Sequence, residues 1–203
     1  MLRAFLSGVV LVCVSTTSIA QDELSEYEKC RLVTAADLAD AKAPSFQNYA
    51  VAKEEHGPPY KLDLSSNPIA KRYRTVLRLD VERGPNFAGH YRVVIWGCGM
   101  SCVMFAVVNL KSGRVITPPD FSDVSGVFVY ADDFLARQSD PDSSGLVRYN
   151  AASKLLVVIG DLDEDESREG AFYFVLEGEK LGLVHATRVK KNCEGLRPSK
   201  KSQ

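Results

Sequence analysis

Residues 90–110 read HYRVVIWGCGMSCVMFAVVNL, and this stretch decides the fold. Two runs rich in β-branched and aromatic residues, His90–Trp96 and Val103–Leu110, flank Gly97-Cys98-Gly99-Met100-Ser101-Cys102. That spacing predicts a hairpin. If Cys98 directly opposes Cys102, then Trp96 opposes Met104, Ile95 opposes Phe105, Val94 opposes Ala106 and Val93 opposes Val107. Every one of those pairs is apolar. Opposed residues of antiparallel strands have Cα atoms about 4.5–5.5 Å apart, within disulfide reach. Trp96 beside Met104 also offers a sulfur–aromatic contact. Because both faces of the hairpin are apolar, it is expected in the middle of a sheet with a layer packed on each side.

Outward from the hairpin, Lys111-Ser112-Gly113 is a tight-turn signal leading into a strand at Arg114–Thr117, which Pro118-Pro119 ends. Further strands are expected at Val127–Tyr130, Leu146–Tyr149, Leu155–Gly160, Ala171–Glu177 and Leu181–Val189. Upstream, Ser65-Ser66-Asn67-Pro68 sets a capping side chain before a proline at the first helical position. Ile69, Tyr73, Val76 and Leu77 continue at helical spacing, which predicts a helix over Pro68–Asp80 that covers one sheet face and stops before Gly84-Pro85. Asp22–Arg31 reads as a short surface helix and Phe46–Ala52 as a strand. The expected fold class is mainly β (α+β): a single antiparallel sheet-based domain, partly covered by one helix in its N-terminal half.

The N-terminus carries an export signal. Arg3 precedes an apolar run from Ala4 to Val14, and Ser18-Ile19-Ala20 offers a small-residue cleavage site. Residues 1–20 are therefore read as a signal peptide and 21–203 as the mature domain, exported to a bacterial periplasm or secreted. Val12 before Cys13 spoils a lipidation site. No second apolar segment is long enough for a membrane span. With 25 basic and 26 acidic residues, the chain lacks the positive footprint of a nucleic-acid binder.

Without Cys13, four cysteines remain, and in an exported chain they read as a disulfide framework with three connectivities. The hairpin register selects Cys98–Cys102, which leaves Cys30 to pair with Cys193. On the chain-entropy account, closing so long a loop stabilises by about 4–5 kcal/mol. Three residues separate Cys98 from Cys102, unlike the C-x-x-C of thiol oxidoreductases, so the pair reads as a staple. The scattered histidines at 56, 90 and 185 do not complete a zinc site, and no cofactor is expected.

The segments Leu62-Asp63-Leu64-Ser65-Ser66, Gly84-Pro85-Asn86-Phe87-Ala88-Gly89-His90-Tyr91 and Trp96-Gly97-Cys98-Gly99, with the arginine-rich helix between them, resemble a group of uncharacterised exported bacterial proteins. The resemblance implies a bacterial, periplasmic protein and brings no reaction or substrate with it.

The chemistry-bearing residues are few. Asn86, His90 and Arg92 form a candidate polar corner for an anionic or peptide ligand, against the plainer reading that Asn86 caps a turn and His90 bonds a loop carbonyl. Asp161-Leu162-Asp163-Glu164-Asp165-Glu166 alternates carboxylates but lacks the glycine and distal glutamate of an EF-hand, so a solvated hairpin loop is expected. No serine elbow or free cysteine nucleophile is present. The reading leans against an enzyme and towards a non-catalytic periplasmic binding or inhibitory module for a protein or small ligand. The alternative is a periplasmic hydrolase using His90 with a carboxylate supplied by the fold.

Overall fold

A computed structural model describes residues 24–52, 61–126 and 145–196. The signal segment and the strand expected at Val127–Tyr130 lie outside these residues. The described chain is built on one antiparallel sheet of eight strands with three short α-helices. The strands are β1 (Tyr91–Gly99), β2 (Cys102–Asn109), β3 (Val115–Ile116), β4 (Val124–Ser125), β5 (Val147–Arg148), β6 (Leu155–Leu162), β7 (Glu169–Glu177) and β8 (Lys180–Arg188). Hydrogen-bonded order runs β1-β2-β4-β6-β7-β8, with β3 also on β2 and β5 also on β6. No helix among the described residues is long and apolar enough to cross a membrane.

The hairpin register is the one read from the sequence. Val93 faces Val107, Val94 faces Ala106, Ile95 faces Phe105 and Trp96 faces Met104. Two details differ. The ladder shifts between Gly97 and Gly99, so Cys102 faces Gly99 and Cys98 is the extra residue of a bulge. The turn then needs only Met100 and Ser101, the latter at φ 53°. The bulge still leaves the Cys98 and Cys102 Cα atoms 5.3 Å apart, and they are bonded, as are Cys30 and Cys193. Nor is the hairpin central, since β1 ends the strand order. Its two apolar faces are covered by layers above and below, not by strands on both sides.

Alternation explains those layers. Val93, Phe105, Val107, Leu156, Val158, Phe172 and Phe174, from both halves of the sheet, meet in one inner cluster. The sheet therefore curls strongly, and the Tyr91 hydroxyl donates to the Gly178 carbonyl of the β7–β8 turn at 3.2 Å. The other face is covered in two patches. Val94, Ala106 and Val108 lie under α2 (Pro68–Arg72) and α3 (Arg74–Val81). Leu155, Val157, Ile159 and Ala171 lie under Val33 and Leu38, which follow α1 (Glu26–Arg31).

Three local expectations are corrected. The helix over Pro68–Asp80 is broken at Tyr73, which closes α2 and opens α3 at φ −103°, ψ 23°. The break falls where the Tyr73 ring packs on Trp96, centroids 4.7 Å apart, and its hydroxyl donates to Met104 Sδ at 3.3 Å. Phe46–Ala52 is not a strand. Ser45 donates its N–H and hydroxyl to Asn48 Oδ1 at 2.7 and 2.9 Å, and this local bonding favours a 3-10 turn at Phe46–Tyr49. Asp161 is not in a solvated loop but at the end of β6, only 7 % exposed.

Candidate functional site

The most unusual feature of the sheet is an interruption beside β2. β3 pairs with Val107 and Val108, and β4 with Cys102 and Val103. On that side, Met104, Phe105 and Ala106 have no ladder partner among the described residues. Continuing the β2–β3 register places Pro118 opposite Phe105, and a proline has no N–H to donate. The chain leaves the sheet at Pro118-Pro119 and returns at β4. Gly160 at φ 138° lets β4 approach β6, since a Cβ there would stand 2.2 Å from the Ser125 carbonyl oxygen.

The parity of the ladder shows what the gap exposes. Tyr91 and Val93 turn their backbone groups away from β2, because Tyr91 N–H donates to Phe87 and Val93 N–H to Asn86 Oδ1. The residues opposite them, Asn109 and Val107, then turn theirs towards β3. Phe105 shares that parity, so its N–H and C=O point to the same side as those of Val103 and Val107, although the residue as a whole is only 2 % exposed.

A groove of about 450 Å³ opens there, with a mixed lining in which Ile69, Met104 and Phe121 stand beside Thr117, Ser122, Asp120 and Asp163. Ile69 is held over it because Asn67 caps α2, accepting from the Ala70 N–H at 2.9 Å, while its own amide donates to the Val115 carbonyl of β3 at 2.8 Å. Asp163 accepts from the Ser122 N–H at 2.7 Å and pairs with Arg168 at 2.8 Å, and Arg168 also donates to the Asp120 carbonyl at 3.1 Å. The loop is thereby braced from below.

Two carboxylates, Asp120 and Asp163, line the groove. Separately, the carboxylates of Asp123 and Glu164 lie within 4.8 Å of each other and of Cys102 Sγ. Burial, then the charges of Asp163 and Glu164, push the Asp123 carboxyl above its usual range. The Cys102 sulfur is bonded to Cys98, so this trio offers a metal only two carboxylates.

The residues of the candidate corner, Asn86, His90 and Arg92, each have their own setting. Asn86 is buried and acts as a surrogate strand residue, accepting from Val93 N–H at 2.7 Å and donating to Val93 C=O at 3.1 Å. Arg92 is buried against α3, donating to both Asp80 carboxylate oxygens at 2.6 and 3.3 Å and to the Gly84 carbonyl at 2.8 Å. His90 is half-buried with its ring 4.4 Å from that of Tyr91. Elsewhere, His185 Nε2 meets Asp40 at 2.8 Å on the outer side of β8.

Sequence reasoning missed a second charged cluster. Arg31, 4 % exposed, reaches Glu169 at 3.0 Å, Asp161 at 3.6 Å and Glu166 at 3.9 Å. Burial, opposed by Arg31, pushes the Asp161 carboxyl up to about 6. Burial and the Asp161 charge, opposed by Arg31 and Lys191, push Glu169 up to about 7. Only the pairing of distant residues reveals this cluster. The groove, by contrast, had a signal in the sequence, the Pro118-Pro119 pair.

Protein-family models, curated proteins and solved structures were compared with the chain, and none matches.

Proposed function

We propose that this chain is an exported, non-catalytic binding or inhibitory module of a bacterial periplasm, and that its ligand seat is the groove beside β2. The single observation that carries the reading is the interrupted ladder, which leaves a groove where Ile69, Met104 and Phe121 stand beside Thr117, Ser122, Asp120 and Asp163. A concave site that sets placed polar groups among apolar side chains is the usual form of a ligand seat. The two disulfides suit an oxidising compartment, in keeping with the export signal and the resemblance to exported bacterial proteins. Asn86 and Arg92 are engaged in holding β1, which favours a seat elsewhere.

The test is amide shift mapping of the oxidised, 15N-labelled mature protein against a panel of short peptides, monosaccharides, carboxylates and amines. Perturbations gathered at residues 103–107 and 117–123 are expected. Turnover of nitrophenyl ester, phosphate or glycoside substrates that His90→Ala abolishes would instead establish the hydrolase reading.

A further inference from the structure

We infer that the Cys98–Cys102 disulfide is a thiol–disulfide exchange site, at which Cys98 takes the sulfur of an incoming dithiol and Cys102 is the sulfur displaced. This site is independent of the groove and does not require it to hold a ligand.

Access separates the two residues. Cys98 is exposed, whereas Cys102 is only 8 % exposed. Gly97 and Gly99 flank Cys98, and a Cβ at either would meet nothing within 4 Å, so the residue is open on both sides. Met100, 91 % exposed, continues this open tip. A thiolate attacks a disulfide sulfur from the side away from the bond that breaks, and needs clear space there. Cys98 stands in open space and Cys102 does not. Backbone pairing separates them as well. Cys98 is the extra residue of the bulge, while Gly97 pairs with Val103 and Gly99 with Cys102. Cys98 can therefore swing out with a bound thiol and leave the ladder in place. Cys102 is held between Gly99 on β1 and Ser125 on β4. The other disulfide lacks this arrangement, since Cys193 is 4 % exposed and Cys30 lies half-buried in α1.

The exchange balances with the dithiol as its only co-reactant. One thiolate of the dithiol attacks Cys98 Sγ, the Cys98–Cys102 bond breaks, and its electron pair leaves on Cys102 Sγ, which takes a proton from solvent. The second thiolate of the dithiol then attacks its own sulfur in the mixed disulfide, and Cys98 leaves and is protonated. The dithiol is oxidised to a disulfide by two electrons, and the protein gains them as two thiols. The carboxylates of Asp123 and Glu164, within 4.8 Å of Cys102 Sγ, disfavour a thiolate there and keep the proton on the displaced sulfur. Cys102 is then slow to return to Cys98, so the mixed disulfide persists until the second thiol closes on it. Neither cysteine lies at a helix N-terminus that would lower a thiol pKa. The pair therefore acts as an electrophile that receives a thiolate, in contrast to the nucleophilic thiolate of C-x-x-C oxidoreductases. Exposed disulfides are as a class the more readily reduced ones.

The experiment treats the oxidised mature protein with dithiothreitol at neutral pH, without denaturant, and maps alkylated cysteines by peptide mass after an acid quench. Cys98 and Cys102 should be alkylated on the order of tenfold faster than Cys30 and Cys193, with the amide spectrum of the fold retained. Equal rates for the two disulfides, or opening of Cys98–Cys102 only as that spectrum is lost, would overturn the inference. The direction of attack is read from single variants and the uncharged disulfide of mercaptoethanol. Cys98 in Cys102→Ser should form the mixed disulfide on the order of tenfold faster than Cys102 in Cys98→Ser. Equal rates in these two variants would overturn the assignment of Cys98 as the sulfur attacked. Adding Asp123→Asn and Glu164→Gln to Cys98→Ser should speed the reaction of Cys102 about threefold, and an unchanged rate would contradict the part given to the carboxylates.

Discussion

The outer face of the sheet is covered twice, and each cover is fastened through one buried arginine. Arg92 is 2 % exposed and holds the Asp80 carboxylate in a two-pronged pair completed by the Gly84 carbonyl. Arg31 is 4 % exposed but faces two buried carboxylates, Asp161 and Glu169, with Glu166 at the edge. Asp80 also accepts from the more exposed Arg83 at 3.1 Å, so the anion of this site is met by two guanidinium groups. The second has more buried anion than its cation can offset, so protons are retained and both acids are shifted upwards. A buried arginine is thus a fixed strut in one place and a proton-linked fastening in the other. The difference lies in how deeply the carboxylates are buried, since the Asp80 side chain keeps 20 % of its surface in solvent while those of Asp161 and Glu169 keep 9 and 2 %.

The largest expected effect separates the covers by cross-link. Cys30–Cys193 ties the start of the domain to its end across 163 residues. Replacing both cysteines by serine should cost about 4–5 kcal/mol in urea unfolding, with loss of order first at α1. Next, Arg92→Ala should cost about 3 kcal/mol, because the Gly84 carbonyl loses its donor and Asp80 keeps only the more exposed Arg83 at a largely buried site. If its cost is under 1 kcal/mol, Arg92 is not the strut of the helical cover.

The third effect is the pH dependence that Arg92 should not share. Asp161 and Glu169 have folded pKa values of about 6 and about 7, above the ordinary 3.8 and 4.5. Between those limits the unfolded chain releases protons that the folded one retains, so these acids favour the fold fully below about pH 4 and lose that contribution as pH rises through 7. Stability should fall on the order of 3 kcal/mol over this window. Glu169→Gln should flatten the slope, whereas Arg92→Ala should leave it unchanged. A profile that rises from pH 4 to 7 in the native chain would contradict the assignment. The smallest effect belongs to Cys98–Cys102, which closes only a four-residue separation. Its double serine variant should lose about 2 kcal/mol and keep the β1–β2 register, visible as unchanged cross-strand contacts between Ile95 and Phe105.

What the sequence made legible follows from how local each signal is. The β1–β2 register was readable because four apolar pairs and one cysteine pair agree on it within a single hairpin. The bulge at Cys98 was not, since it depends on whether Met100-Ser101 alone closes the turn. The start of α2 was written in Asn67-Pro68. Its break at Tyr73 comes from Trp96 and Met104, which meet that ring only after folding. Asp161 looked solvated among other acids because its partner, Arg31, lies far back in the chain. The groove was half visible: Pro118-Pro119 marks where a strand ends, but only the β2–β3 register shows that Phe105 is the residue left bare.

Amide hydrogen exchange at Phe105 tests the interrupted ladder most directly, because Val103 and Val107 on the same strand and of the same parity serve as internal standards. In the oxidised protein, Val103 and Val107 should exchange slowly and Phe105 on the order of tenfold or more faster, because its N–H has no ladder partner among the described residues. Equal protection at all three positions in the free protein would mean that the ladder is closed there, and the proposed seat with it.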